Sequence, residues 1–197
     1  SINFRVYYII MVTLIIIIYF LYIKFIKESN LNKNYLSKII FTTIIVFFIE
    51  IFIVQILSVE SYDLIINARS SVNNTRIGSM DAATMINDIF GENTNYFKFI
   101  FNYIINAFRM MFPIELITKG IKYIPFIIYQ LFITTNILNL GKKLSRNNIL
   151  IFATIVSFMM ISIIFEPDFG SFIRHESALT LLLLEMNVIN ENIKNQT

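Results

Sequence analysis

Four apolar runs, each closed by charged residues, set the strongest limit on what this chain can become: Val6–Ile26, Leu36–Val59, Ile121–Leu140 and Asn148–Phe165. At 1.5 Å per residue each makes a helix of about 30 Å, the thickness of a bilayer's hydrocarbon core. The fold expected is therefore all-α: a polytopic integral membrane helical bundle of about 4–6 transmembrane helices, with one interfacial or re-entrant amphipathic segment. Residues 1–197 form a single membrane domain in this reading.

Composition points the same way. The chain is 56% hydrophobic and 15% charged, against roughly 45–50% and about 25% in soluble domains. Cysteine is absent, which excludes disulfides, thiolate metal sites and cysteine nucleophiles. A net charge of +3 is too small to imply nucleic acid; the expected surroundings are the lipid bilayer. Ser1–Arg5 carries no signal-peptide features, so the chain reads as a piece of a longer protein or as a processed one.

The placement of charge orients the spans. Lys24, Lys27, Lys33 and Lys38 oppose Glu28 between the first two runs, and Lys142, Lys143 and Arg146 follow the third. Short basic loops stay on the cytoplasmic or matrix side. Residues 60–96 hold Glu60, Asp63, Asp81, Asp88 and Glu92 against Arg69 and Arg76, so this is the outer loop. Within it Asp81–Ile89 is expected as a short helix capped by Ser79.

Phe97–Ile117 is apolar but punctuated by Lys98, Asn102, Asn106, Arg109, Pro113 and Glu115. If it crossed the membrane, the Lys142–Arg146 cluster would fall outside, against the charge rule. The rule favours an in-plane or re-entrant segment over 97–117, and the spacing of Asn102, Asn106 and Arg109 puts them on one helical face. Ala178–Ile189 is too short to cross alone; it spans only if Phe172 onward joins it, as 172–189.

The chemistry-bearing residues are few. The chain has one histidine and no GxGxxG, P-loop or HExxH pattern, so no metal site and no cofactor are expected. The densest cluster runs from Glu166 to Glu176. There Arg174 can hold a phosphate through two nitrogens at once, and His175 can exchange protons near neutral pH. Glu166, Asp168 or Glu176 can orient that imidazole or act as a base. Glu50 lies well inside a span, where a charge is functional by default or paired within the bundle. Arg109 reads as a contact to lipid phosphate or substrate, or as ordinary snorkelling.

The stretch Asp168-Phe169-Gly170-Ser171-Phe172-Ile173-Arg174-His175 resembles the (N/D)-x-G-(T/S)-x-x-R-H element near the end of bacterial multi-span proteins of surface-polysaccharide biosynthesis, the repeat-unit or O-antigen polymerases among them. The outer-loop segment Arg76-Ile77-Gly78-Ser79-Met80-Asp81-Ala82 fits the last third of such proteins. This resemblance implies a bacterial plasma-membrane location and a lipid-linked glycan, carried on undecaprenyl pyrophosphate, handled on the outer face. Arg174, with Arg109 and Asp81, would bind substrate; His175, Glu166 and Asp168 would assist glycosyl transfer. It also implies that this chain is a C-terminal part.

A rival class needs no chemistry. A Phe- and Ile-heavy membrane chain without cofactor ligands also suits a non-catalytic, organelle-encoded subunit of a respiratory or ATP-synthase complex in the mitochondrial inner membrane. Glu50, Glu115 and Arg109 would then meet other membrane subunits or conduct protons. A transporter fragment is the third option, with Glu50 as its only midplane hint.

Overall fold

The computed structural model describes residues 2–28, 35–76, 84–145 and 147–195. It is all-helical, with no strand among the described residues. The long runs contain no Pro or Gly to break the backbone ladder, and they form α1 (Ile2–Glu28), α2 (Tyr35–Leu57) and α7 (Ile149–Phe165). Their many β-branched residues are mediocre helix formers in water. Where water is scarce, a helix is the structure that satisfies every main-chain polar group within one segment.

α1 and α2 are antiparallel, and two side-chain contacts fix their register. The Tyr22 hydroxyl lies 3.1 Å from Thr43 Oγ1, and the Thr13 hydroxyl lies 2.5 Å from Glu50 Oε1. α7 packs along α1, with the Tyr22 and Phe152 rings 5.6 Å apart. Among the described residues two helices are long and apolar enough to cross a membrane: Ser37–Leu57, with mean hydropathy 2.6, and Ile121–Gly141, with 1.4. The apolar lengths Tyr8–Lys24 and Ile149–Phe165 are shorter. α2 buries Ile39, Thr43, Phe47 and Ile51, one per helical turn, yet leaves Phe41 66% exposed with Ile45, Phe52 and Ile56 beside it.

The outer stretch is more ordered than a loop. Ser58 ends α2 and caps α3 (Val59–Ile66), accepting from the Ser61 N–H at 3.2 Å. α4 (Ala68–Arg76) follows. From Met85 to Ile89 the chain is not the helix expected over Asp81–Ile89: a bridge at Met85 is followed by irregular backbone and a turn at Ile89. Met85 bridges antiparallel to Asp168, and the Ile86 N–H donates to the Pro167 carbonyl at 3.0 Å. That distant partner replaces the local helical bonds. Asp81 and Ser79 lie outside the described residues.

α5 (Tyr96–Met111) starts at Asn95, whose side chain accepts from the Lys98 N–H at 2.9 Å. The polar face expected from the spacing exists, but it points inward. Asn102 and Asn106 are buried with Phe99, Tyr103 and Met110, while Phe97, Phe101, Ile104 and Phe108 face outward. This helix is inside-out relative to one on a water-soluble protein.

Pro113 ends α5, and two 3₁₀ turns, Ile114–Lys119 and Ile121–Tyr123, lead into α6 (Ile124–Gly141). After α7 come α8 (Phe169–Glu176) and α9 (Thr180–Asn195). Residues 172–189 are thus not one helix. The 3₁₀ turn Ser177–Leu179 interrupts them, and there the Ser177 hydroxyl donates to the Arg174 carbonyl at 2.6 Å. α9 returns beside α6 and α7, tied by Tyr129 to Thr180 at one end and by Asn148 to Asn190 at the other.

Candidate functional site

The α7–α8 corner is built by its own sequence. Glu166 closes α7 with extended backbone, its N–H still bonded to the Ser162 carbonyl at 2.8 Å. Pro167 then directs the chain out of the helix. Asp168 restarts it as the α8 N-cap, its side chain accepting from the Ser171 N–H at 2.7 Å. Gly170 is confined by that cap: a Cβ there would meet Asp168 Oδ1 at 3.2 Å.

This turn brings Glu166 and His175 together, with Glu166 Oε1 against the imidazole Nδ1. The Glu166 side chain is 8% exposed and the His175 side chain 56% exposed. A carboxylate on Nδ1 favours the tautomer with its proton there, which leaves Nε2 with the basic lone pair. More than half of the histidine side chain is open to the surroundings. Arg174, next along the helix, is exposed and pairs with no described residue. It lines an open groove with Pro125, Phe126, Tyr129, Ile173 and Ser177.

The three carboxylates of the cluster therefore divide their tasks. Glu166 orients the histidine, Asp168 caps α8, and Glu176 turns away into the bundle, where it is buried. The structure brings His175, Glu166 and Arg174 to one corner. It holds Arg109 elsewhere.

Arg109 is clamped by Glu115, Nε to Oε2 at 2.7 Å and Nη2 to Oε1 at 2.8 Å. Its Nη1 donates to the Asn87 carbonyl at 2.8 Å and to Asn106 Oδ1 at 3.1 Å. Four of its five N–H donors are thereby engaged within the protein. Glu50, for its part, meets Thr13 and no cation among the described residues.

One residue of the network was not singled out by sequence. Arg69 on α4 is 5% exposed. Its Nε donates to the Glu166 carbonyl at 3.1 Å, one Nη donates to the Ile163 carbonyl, and the other lies 3.4 Å from Asp88 Oδ1. Burial lowers its pKa to about 10, the neighbouring Asp88 carboxylate opposing the drop. The guanidinium stays charged at neutral pH. Asp88 also accepts from Asn106 at 2.5 Å and from Asn93 at 3.3 Å, and Asn102 donates to Asn93 at 2.8 Å. The inward face of α5 is thus the lining of this polar core, and the Asn102–Asn106 spacing was its sequence signal.

Two cavities flank the network. A polar one of about 160 Å³ opens among Arg69, Asn73, Asn87, Asp88 and Glu92. An apolar one of about 290 Å³ lies among α1, α2, α5, α6 and α7, with Tyr22, Thr43, Tyr103, Met111 and Phe152 on its walls. No group of three or more His, Asp or Glu side chains suited to a metal occurs among the described residues. Comparison with family models, curated proteins and solved structures finds no match to this chain.

Proposed function

We propose that this chain is the membrane domain of a protein of surface-polysaccharide assembly, acting on a lipid-linked glycan at the outer face of a bacterial plasma membrane. The Glu166–His175 pair is the observation that carries this reading. A buried carboxylate that orients a half-exposed imidazole is the arrangement a general base needs. In glycosyl transfer from a lipid pyrophosphate, an acceptor hydroxyl attacks the anomeric carbon. The bond from that carbon to the pyrophosphate oxygen breaks, its electron pair leaving with the phosphate, and the hydroxyl proton passes to His175 Nε2. Arg174, exposed one residue away, would grip the pyrophosphate.

In this reading α1, α2, α6 and α7 cross the bilayer, α3 and α4 lie outside and α5 lies in-plane, and the two helices long and apolar enough to span support it. So do the outward apolar faces of α2 and α5. In that arrangement α8 lies at the outer end, outside the crossing segments. The apolar cavity beneath α5 would suit the lipid's hydrocarbon chain.

Variants of Arg174 and His175, scored for glycan chain length and for protein level, test the reading. Arg174→Lys should fail nearly as badly as Arg174→Ala, because lysine keeps the charge but loses the planar fork. His175→Gln should abolish chain growth at normal membrane levels. If both Arg174→Lys and His175→Gln are silent, the site has another purpose. The subunit alternative makes a separate demand: the protein should then migrate in a very large assembly on a native gel. A small complex excludes it.

A further inference from the structure

Glu176 ends α8 with its side chain turned into the bundle. It is 1% exposed, and neither carboxyl oxygen has a hydrogen-bond partner among the described residues. The polar side chain set against it is Gln130 of α6, which is wholly buried. Gln130 reaches Thr134 Oγ1 through its amide nitrogen at 3.5 Å, and its Oε1 has no partner. As a carboxylate, Glu176 could accept the one amide N–H that Gln130 has to spare, but its other lone pairs and Gln130 Oε1 would stay without a donor. Buried acceptors left without donors are costly. One proton repairs both. A neutral acid O–H can donate to Gln130 Oε1 while the amide N–H donates back to the acid carbonyl.

Among the described side chains no opposite charge is at hand to offer another repair. α7 carries no titratable residue, and α6 contributes only Tyr129, whose hydroxyl is 3.4 Å from Thr180. Lys122, in the turn before α6, is exposed over the Tyr123 ring. On α8 itself Arg174 and His175 are exposed, and on α9 so are Glu185 and Glu191. Ser177–Leu179 has no ionisable side chain.

We propose that Glu176 and Gln130 form a proton-binding site that seats α8 on α6, and that ionisation of Glu176 loosens this seam. Burial pushes the Glu176 carboxyl up to about 7, with the Gln130 contact opposing in part. The switch therefore falls near neutral pH. The groove lined by Pro125, Phe126, Tyr129, Ile173, Arg174 and Ser177 opens beside the same seam, bounded by the sequence neighbours of Glu176 and Gln130. The proposal does not depend on the glycan reading. A proton bound here acts on α8 whatever the protein transforms.

Infrared spectroscopy of the purified full chain, titrated between about pH 5.5 and pH 8.5, tests the site, because ordinary carboxyls are already ionised over that range. The wild type should show a neutral-acid carbonyl band that disappears through about pH 7 and that Glu176→Gln lacks. Gln130→Met should keep the band but move it to the higher frequency of an acid without a hydrogen-bonded carbonyl. A wild-type spectrum identical to that of Glu176→Gln, or a band that Gln130→Met leaves unmoved, overturns the site. Leu179→Cys, buried in the turn that directly follows α8, reports the loosening. Its labelling should rise with pH more steeply beside Glu176 than in a Glu176→Gln background, which controls for thiolate chemistry. Equal slopes overturn the switch.

Discussion

Arg69 Nε donates to the main-chain carbonyl of Glu166 at 3.1 Å, across 97 residues of chain. The same guanidinium reaches the Ile163 carbonyl and Asp88. One buried side chain therefore holds the end of α7, the irregular segment after Met85 and the inward face of α5 in a single frame. The Glu166–His175 pair hangs from that frame.

Arg69→Ala should consequently be among the most damaging single changes. It removes a buried charge from Asp88 and leaves two carbonyls without a donor, a loss of about 3–5 kcal/mol. Arg69→Lys, with fewer donors and no fork, should recover only part of it. Thermal unfolding in detergent measures both. An unchanged midpoint for Arg69→Ala would show that the frame is not held there.

Glu166→Gln separates charge from geometry. The amide can still hydrogen-bond to Nδ1, but it cannot stabilise an imidazolium at Nδ1. If the chain extends a glycan as proposed, growth should fall by roughly 10²-fold or more, the scale of general-base catalysis, with protein level unchanged. Growth at the normal rate would mean that His175 does not take up a proton during turnover.

Glu176 gives stability a sign against pH. Its folded pKa, about 7, lies above its ordinary value of 4.5, so the folded state holds the extra proton between those limits. The stabilisation is complete below about pH 4.5 and is lost as pH rises through about 7, roughly 3 kcal/mol in all. Unfolding midpoints of wild type and Glu176→Gln should diverge over that window. Parallel curves would refute the linkage.

The long helices were legible because their cause is local: runs of apolar residues without Pro or Gly. What decides the site is not local. The spacing of Asn102, Asn106 and Arg109 defines a face, but periodicity cannot say whether that face meets headgroups or a buried Asp88. Glu166, Asp168 and Glu176 are alike in sequence, and only the turn at Pro167 and the phase of α8 make one a histidine partner, one a cap and one a buried acid. Arg69 looked like part of a loop charge sum, because its partners Ile163 and Glu166 are main-chain carbonyls nearly a hundred residues away. The pairing of Met85 with Asp168 was hidden for the same reason.

Sidedness can be measured directly, since the chain has no cysteine of its own. Single cysteines at Lys38 and Lys143 should label from one side of the membrane, and those at Asn74 and Ser177 from the other; all four positions are exposed. The antiparallel α1–α2 pair and the return of α9 from Thr180 to Asn190 require this pattern once α1, α2, α6 and α7 cross. Lys38 and Lys143 labelling from opposite sides would mean that α5 crosses as well.

The inside-out character of α5 supplies the sharpest test of its surroundings. Phe101 is 59% exposed, and Phe97, Ile104 and Phe108 share its side of the helix. In water, replacing such a residue with a charged one would change stability by no more than about 0.5 kcal/mol. Against hydrocarbon, a lysine costs about 2.5–3.5 kcal/mol at the bilayer centre and less towards the interface, where its long stem can snorkel. Phe101→Lys should therefore lower membrane abundance clearly, and Phe101→Asp, with too short a side chain to escape, should lower it further. Lys98→Asp, at a half-buried polar position in the first turn of the same helix, gains from the positive end of the helix dipole and should be tolerated. If all three variants accumulate equally, the outward face of α5 touches water, and the in-plane placement of this helix falls with it.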